Sequence, residues 1–221
     1  MPFNLFRRKD EAGSAASGQG AASGAHGPGG PAGHGVAFDG LTEEWRLLGE
    51  MHIDGRLSDA LNRREAIPIS AVSWAPADGS SPLEPVPGLR SIDPYDLIVV
   101  LAGEGSQPPL SEAERAAHRV HKVGYDVALD AAPYTVYGTV YLHPGSEPER
   151  LLDRATDLFV AVTDAEAYLG EQRVGDPDVD TVLVNRSYLR GVKQIDRRTR
   201  QPHRPLPGQP LGGVSWTDRS R

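Results

Sequence analysis

Two stretches of the chain repeat the same series of short sequence blocks in the same order. The first series comprises residues 36–39, 45–53, 61–63, 67–72 and 96–100, and the second comprises residues 127–130, 134–142, 152–154, 158–163 and 180–184. The lengths of chain between the blocks differ little from one series to the other. A tandem duplication therefore constrains the fold more than any single motif, because each copy is expected to form the same kind of unit.

The apolar residues of each copy alternate along the chain, with the period of a half-buried β-strand and not that of a helix. One face of the repeated strand carries Trp45, Leu47, Gly49, Met51 and Ile53 in the first copy, and Tyr134, Val136, Gly138, Val140 and Leu142 in the second. The inward glycine of each strand predicts a bend or the close approach of another backbone. Residues 96–101 and 180–185 are apolar on both faces, which predicts the two most central strands.

A short helical segment is predicted after the repeated strand of each copy. In the second copy Ser146 and Glu149 have the spacing of a capping box, and in the first copy Leu57 and Leu61 lie one turn apart. Each unit is small for an independent core, so each is expected to pack against the other. The predicted fold is mostly β (α+β), with two tandem antiparallel β modules, each with a short helix, related by pseudo-twofold symmetry.

Composition divides the chain further. The predicted parts are a disordered tether over 1–34, the first module over 35–102, a linker with a short helix over 103–118, the second module over 119–193 and a disordered basic tail over 194–221. The tether is rich in Gly, Ala and Ser and poor in large apolar side chains. The linker helix is predicted from a second capping box, and the tail from its prolines and arginines.

Charge and cysteine content narrow the compartment and the partners. The chain has a net charge of −7 and no cysteine, so a reducing cytoplasm is the simplest location. Its acidic groups are concentrated in residues 35–193, which disfavours nucleic acid as a partner of the folded part. Apolar and basic residues near the N-terminus predict a weak peripheral membrane contact, with an ordinary frayed terminus as the alternative. These residues are Phe3, Leu5, Phe6, Arg7, Arg8 and Lys9.

The sequence contains no catalytic motif of a known pattern, and its glycine-rich run lacks the lysine of a phosphate-binding loop. His118 and His121 are three residues apart, but a metal would need a further ligand from elsewhere, and a solvated helix end explains them more simply. Asp176, Asp178 and Asp180 alternate as in a calcium loop, without its central glycine and distal glutamate. We therefore predict neither a metal nor another cofactor.

Gly49 begins a segment that continues into Arg56-Leu57-Ser58-Asp59-Ala60-Leu61-Asn62. A glycine-centred strand followed by Arg-Leu-Ser-Asp-x-Leu-Asn resembles a small bacterial β-rich domain family of unknown function. The second copy, with Gly138 and then Leu152 and Asp153, resembles a diverged member that has lost the Arg-Leu-Ser-Asp run. The resemblance implies a compact β-rich module and no particular chemistry.

The leading hypothesis for function is a non-catalytic cytoplasmic binding or assembly module that acts through a protein partner. The predicted contact residues are Arg56, Ser58, Asp59 and Asn62. A turn capped by Ser58 and Asp59 is the simpler interpretation of those two side chains. We expect replacement of both Arg56 and Asn62 by alanine to weaken partner capture without changing the melting temperature.

Two other classes of function remain open at this point. A small-ligand sensor would bind between the copies, with Trp45, Tyr137 and Tyr141 as aromatic walls. An enzyme would need clustered ionisable groups in a cleft, which a single sequence does not display.

Overall fold

A computed structural model describes residues 34–103, 106, 122–153 and 157–202 of the chain. The strands in these ranges are β1 (His34–Leu41), β2 (Trp45–Ile53), β3 (Ile67–Pro76), β4 (Glu84–Pro85), β5 (Ser91–Ile92), β6 (Val99–Ala102), β7 (Val123–Ala131), β8 (Tyr134–Leu142), β9 (Phe159–Leu169), β10 (Gln172–Val174), β11 (Val182–Asn185) and β12 (Gly191–Gln194). One α-helix, α1, covers Leu57–Asn62, and 3-10 turns cover Pro94–Asp96, Pro148–Leu152 and Arg186–Tyr188.

The strands form one sheet in the order β12-β7-β8-β9-β11-β6-β1-β2-β3-β4, with β10 paired to β9 and β5 paired to β3. Neighbouring strands are antiparallel throughout. The prediction of a mostly β, antiparallel fold is confirmed. The sheet runs without interruption from the second half of the chain, β7 to β12, into the first half, β1 to β6. The two halves therefore share a backbone hydrogen-bond network.

One of the two predicted helical segments is an α-helix. In α1 the side chains of Leu57, Ala60 and Leu61 are buried, as the spacing of the two leucines indicates. The segment in the second half is the 3-10 turn Pro148–Leu152, which follows Glu147 without a side-chain cap. The expected capping box does not form there, because Ser146 lies one residue too early and the chain returns to an extended conformation at Asp153.

The centre of the sheet is the antiparallel pair of β6 and β11, which we call the seam. Val100 lies opposite Leu183, and Val99 opposite Val184. Both strands are buried on both faces, because each has a neighbouring strand on either side and core residues above and below it. The two most central strands are therefore those predicted from their apolar character.

The same irregularity interrupts two strand pairs. The β2–β3 register shifts between Leu48 and Glu50, and the β8–β9 register shifts between Tyr137 and Thr139. Gly49 and Gly138 lie at these shifts, opposite residues of left-handed conformation, Ala71 (φ 51°) and Asp164 (φ 48°). A Cβ at Gly138 would lie 2.8 Å from the carbonyl oxygen of Thr163, and one at Gly49 would lie 2.9 Å from that of Ser70. Each glycine thus permits the close backbone approach that its sequence pattern predicts.

In each half, the first strand along the chain pairs with the last. β6 pairs with β1, and β12 pairs with β7. Each of β6 and β12 follows a 3-10 turn that is capped by the side chain of the residue before it. Oδ1 of Asp93 accepts the N–H of Tyr95, and Oδ1 of Asn185 accepts the N–H of Ser187. Residues 96–100 and 180–184, which the sequence blocks matched, include parts of β6 and β11, and these two strands pair with each other across the seam.

Two apolar clusters form the core, and each contains residues from both halves. Leu41, Ile98 and Leu101 of the first half belong to the cluster built mainly from β7, β8 and β9. Leu158 and Phe159 of the second half belong to the cluster built mainly from β1, β2, β3 and α1. If either half folded alone, its residues that belong to the shared clusters would be exposed to water. Burial of these apolar residues therefore stabilises the contact between the halves.

Buried polar contacts cross between the halves as well. The hydroxyl of Tyr134, whose side chain is buried, donates to the carbonyl oxygen of Thr42 at 2.6 Å. The side-chain amide of Asn185 donates to the carbonyl oxygen of Leu97 at 2.8 Å. A tyrosine hydroxyl is protonated at neutral pH and can donate, and burial raises the pKa of the Tyr134 phenol further above its ordinary value.

The described structure continues past 193, the predicted end of the second module. β12 ends at Gln194, and a bridge pairs Ile195 with Pro202. Most of the tether and of the linker with its predicted helix lies outside the described residues, as do Phe3, Leu5, Phe6, Arg7, Arg8 and Lys9.

Candidate functional site

The four residues of the Arg-Leu-Ser-Asp-x-Leu-Asn motif proposed for partner binding lie at α1. Arg56 immediately precedes the helix and is half-buried, Ser58 is half-buried and Asp59 is exposed. The Ser58 hydroxyl lies 3.4 Å from Oδ1 of Asp59, which is a weak local contact. These three side chains are at least partly accessible to solvent.

Asn62 has a different role from its three neighbours. Its Oδ1 accepts the backbone N–H of Phe159 at 2.7 Å, and its Nδ2 donates to the Phe159 carbonyl oxygen at 3.4 Å. The side chain thus pairs with both backbone groups at the first residue of β9. Asn62 fastens the helix of the first half to a strand of the second, and its amide is already engaged within the chain.

The three aromatic residues proposed as walls of a ligand site do not share one cavity. Trp45 stacks on Trp74 with ring centroids 4.8 Å apart, and Tyr141 is 52% exposed. Tyr137 makes an edge contact with Tyr168 at 5.7 Å. Of the three, only Tyr137 lines the cavity described next, so the structure does not assemble the predicted site between the halves.

A cavity of about 370 Å³ lies over β8 and β9, and we call it the β8–β9 cleft. The left-handed residue Asp164, at the register shift of β8 and β9, lies in the wall of the cleft together with Glu166 of the same strand. The segment that follows β12 forms its other wall. The lining residues are Asp126, Tyr137, Gly138, Asp164, Ala165, Glu166, Arg173, Pro177, Val179, Asp180, Ile195, Arg197 and Arg200.

Ion pairs link the two walls of the cleft. Arg200 Nη2 donates to Glu166 Oε2, and Arg197 Nη1 lies 3.1 Å from Asp164 Oδ2. Arg173 also faces Glu166, with Nη1 3.4 Å from Oε1. These groups are partly exposed to solvent, so each pair contributes little stability by itself. The cleft is consequently a polar surface whose contacts open at low cost.

The guanidinium of Arg200 lies in a cage of two tyrosines and one glutamate, which we call the tyrosine cage: Tyr137, Tyr168 and Glu166. Its Cζ is 4.9 Å from the centroid of the Tyr137 ring and 5.2 Å from that of Tyr168. The two rings meet at 80°. Arg200 Nη2 also donates to the Tyr168 hydroxyl at 3.2 Å, and that hydroxyl donates to Glu166 Oε2 at 3.0 Å. The hydrogen bond to Tyr168 and the charge of Glu166 raise the pKa of Arg200.

The sequence carried a partial signal for this site. Asp164, Glu166 and Tyr168 alternate on β9, which is the pattern of the polar face of a strand. Nothing in the sequence indicated that Arg197 and Arg200 would lie against that face, because they fall in the stretch assigned to the tail. The bulge that brings Tyr137 near this group was predicted only as a bend at Gly138.

The candidate metal ligands fall into two groups. His118 and His121 lie outside the described residues. Asp176 Oδ1 accepts the N–H of Asp178 at 2.9 Å, and Asp180 Oδ1 accepts the Thr181 hydroxyl at 3.2 Å, in an exposed turn before β11. Within the described ranges no three His, Asp or Glu side chains are grouped so that they could hold a metal ion.

No helix in the described ranges has the length and apolar character needed to cross a membrane. Comparison with known proteins finds no matching family model, no similar curated protein and no similar solved structure.

Proposed function

We propose that the chain is a non-catalytic binding or assembly module of the cytoplasm that acts through protein partners. The observation that supports this most is that a peptide segment of the same chain, residues 195–202, packs on β9 and forms one wall of the β8–β9 cleft. That segment is held chiefly by side chains, with Arg197 on Asp164 and Arg200 in the tyrosine cage. A surface that holds one peptide segment through partly exposed contacts is suited to exchange it for another.

We further propose that the two halves are copies of one unit. The first would have the strand order β6-β1-β2-β3-β5 and the second the order β12-β7-β8-β9-β11. The shared glycine at a bulge, the left-handed residue opposite it and the capped 3-10 turn before the last strand support this correspondence.

The seam favours a head-to-tail relation of the proposed copies. A twofold axis would pair equivalent strands, whereas β6 of the first copy pairs with β11 of the second, the counterpart of β5. Contacts between non-equivalent surfaces are heterologous. We therefore replace the pseudo-twofold arrangement expected from the sequence with a head-to-tail one.

The contact surface of a partner can be mapped by cross-linking in the native cell, followed by identification of the linked peptides. The full chain is compared with Glu166→Lys, which reverses a charge in the cleft, and with Asp59→Lys, which reverses one at α1. Loss of partner links in Glu166→Lys alone would support the cleft. Loss in Asp59→Lys alone would assign binding to Arg56, Ser58 and Asp59. A chain that gives no partner link in its unmodified form would contradict the proposal.

A further inference from the structure

We propose that the tyrosine cage is a recognition site for an arginine side chain of a partner peptide, and that Arg200 occupies it as an internal competitor. This inference rests on the proposed function and specifies the ligand chemistry of the cleft. It concerns Tyr137, Tyr168 and Glu166 and the segment that covers them.

The geometry of the cage suits a guanidinium group. Two rings at 80° present their faces to one cation from two directions, with Cζ of Arg200 about equally distant from Tyr137 and Tyr168. One edge of the same guanidinium reaches both the carboxylate of Glu166 and the hydroxyl of Tyr168. A planar cation with several fixed N–H donors can satisfy rings and acceptors together, whereas an ammonium on a flexible stem lacks that arrangement.

The charge of the cleft also favours a basic ligand. Its walls carry the carboxylates of Asp126, Asp164, Glu166 and Asp180. Of the three arginines that face them, Arg197 and Arg200 belong to the covering segment, and only Arg173 belongs to the strands beneath. Displacement of the segment would leave an excess of negative charge, which attracts an arginine-containing peptide and disfavours an acidic one.

The covering segment, residues 196–202, can leave the cleft without breaking the strand pairs of the sheet. Its turn is closed by its own backbone, with Arg200 N donating to Asp196 O at 2.7 Å and Asp196 N donating to Gln201 O at 2.9 Å. The side chains of Arg197 and Arg200 are 55% and 46% exposed. Ile195 is buried and its N–H donates to the carbonyl oxygen of Asp126 at 2.9 Å. Opening is therefore expected to begin after Ile195, with β12 still paired.

The first half of the chain provides an internal comparison. The strand registers place Leu48, Ser73 and Ala75 at the positions that correspond to Tyr137, Glu166 and Tyr168. These side chains offer neither two aromatic rings nor a carboxylate. The cage is thus a feature of the second half alone, and only one arginine is expected to bind per chain.

The test uses the full chain and a fluorescent peptide with the sequence of residues 196–202, followed by anisotropy. Replacement of Arg200 by alanine in the chain empties the cage. We expect the peptide to bind this variant about ten-fold more tightly than the unmodified chain, since an internal competitor that fills the site about nine-tenths of the time lowers apparent affinity by that factor. A peptide with lysine in place of its last arginine is expected to bind about ten-fold more weakly.

A second variant tests the cage directly. Tyr168→Leu combined with Arg200→Ala should abolish the preference for the arginine peptide over the lysine peptide. If this double variant melts at a lower temperature than Arg200→Ala, Glu166→Gln combined with Arg200→Ala is used in its place. Equal binding to the unmodified chain and to Arg200→Ala would overturn internal competition, and equal binding of the arginine and lysine peptides would overturn arginine recognition. Either result leaves the proposed function standing if Glu166→Lys still loses partner links. Failure of every peptide to bind would overturn arginine recognition, and the absence of any partner link in the unmodified chain would overturn the proposed function as well.

Discussion

Replacement of Asn62 by alanine offers a sharp test of how the two halves are joined. The side chain contributes one hydrogen bond of 2.7 Å from the Phe159 N–H and a longer one of 3.4 Å to its carbonyl oxygen. Phe159 is 3% exposed, so water reaches its backbone poorly once the amide is removed. The variant thus leaves a buried N–H without its partner, and does so at a contact between α1 and β9.

The expected loss can be estimated from these contacts. An unsatisfied buried donor costs about 1–3 kcal/mol, while alanine at a helical position recovers about 0.5 kcal/mol relative to asparagine. A net loss of about 1.5 kcal/mol follows for Asn62→Ala. For a chain of this size, that corresponds to a fall in melting temperature of about 3–6 °C. The contact therefore outweighs the gain in helix propensity.

Thermal unfolding followed by circular dichroism measures this effect, with two matched controls. Asn62→Asp keeps an oxygen that accepts the Phe159 N–H and should lie closer to the unmodified chain. Arg56→Ala, at the half-buried residue immediately before α1, should change the melting temperature by less than about 1 °C, because substitutions outside the core usually alter stability little. An unchanged melting temperature in Asn62→Ala would refute the reasoning and restore Asn62 to the partner-binding group predicted from the sequence.

Three further substitutions test other contacts, each by denaturant or thermal unfolding. Gly138→Ala should cost about 1–3 kcal/mol, since the added methyl meets the Thr163 carbonyl at 2.8 Å; a variant as stable as the parent would contradict the close approach. Tyr134→Phe removes the bond to Thr42 and should cost about 0.5–1.5 kcal/mol. Because burial raises the pKa of Tyr134, the contribution of Tyr134 to folding stability should be constant below its unfolded pKa of about 10 and fall as pH rises above it. The fall in stability at high pH should be smaller in Tyr134→Phe, and an identical pH profile would contradict burial of the phenol. Asn185→Ala should lower stability by about 1–3 kcal/mol by leaving buried backbone groups without their partner, and no change would contradict its role between the halves.

The sequence predicted best those features that depend on neighbours along the chain. Alternation of apolar residues indicated the long strands, and the doubly apolar runs indicated the centre of the sheet. Gly49 and Gly138 were correctly assigned to a bend or a close approach, because glycine within a strand often marks a bulge or a near backbone neighbour. These patterns are local, so one sequence suffices to read them.

Similarity of the blocks 96–100 and 180–184 is not by itself a sign of duplication. Any strand buried on both faces becomes a continuous apolar run, whatever its place in the topology. The strands β6 and β11 are both buried at the centre of the sheet, which is enough to explain their likeness. The head-to-tail relation proposed above rests instead on strand pairing, which alternation alone does not specify.

The candidate site could not be predicted because its parts are distant in sequence. Arg200 and Glu166 are 34 residues apart, and Asn62 and Phe159 are 97 residues apart. A basic, proline-rich composition correctly described the C-terminal stretch, but it gave no indication that two of its arginines pack on β9. Composition reports whether a segment can form its own core, and a segment that rests on another surface does not need one.

Both ends of the sheet carry features that discourage pairing between molecules. At one end β12 has Lys193 at an exposed position, and at the other end β4 is only two residues long. Charged residues and very short strands discourage the pairing of sheet edges between molecules. The sheet is therefore not expected to extend from one molecule to the next.

The pairing of β6 with β11 at the seam is expected to unite the two halves into one folding unit. Native-state hydrogen exchange, resolved by residue, tests it directly through the amides of β6 and β11, including Ala102 N, which donates to Thr181 O at 2.9 Å, and Asn185 N, which donates to Ile98 O at 2.8 Å. Cooperative unfolding predicts that the seam amides exchange with the same free energy as those of β1 and β9, equal to the global value. Seam amides that exchange far more readily, with the strands of the two halves protected to different extents, would contradict the account.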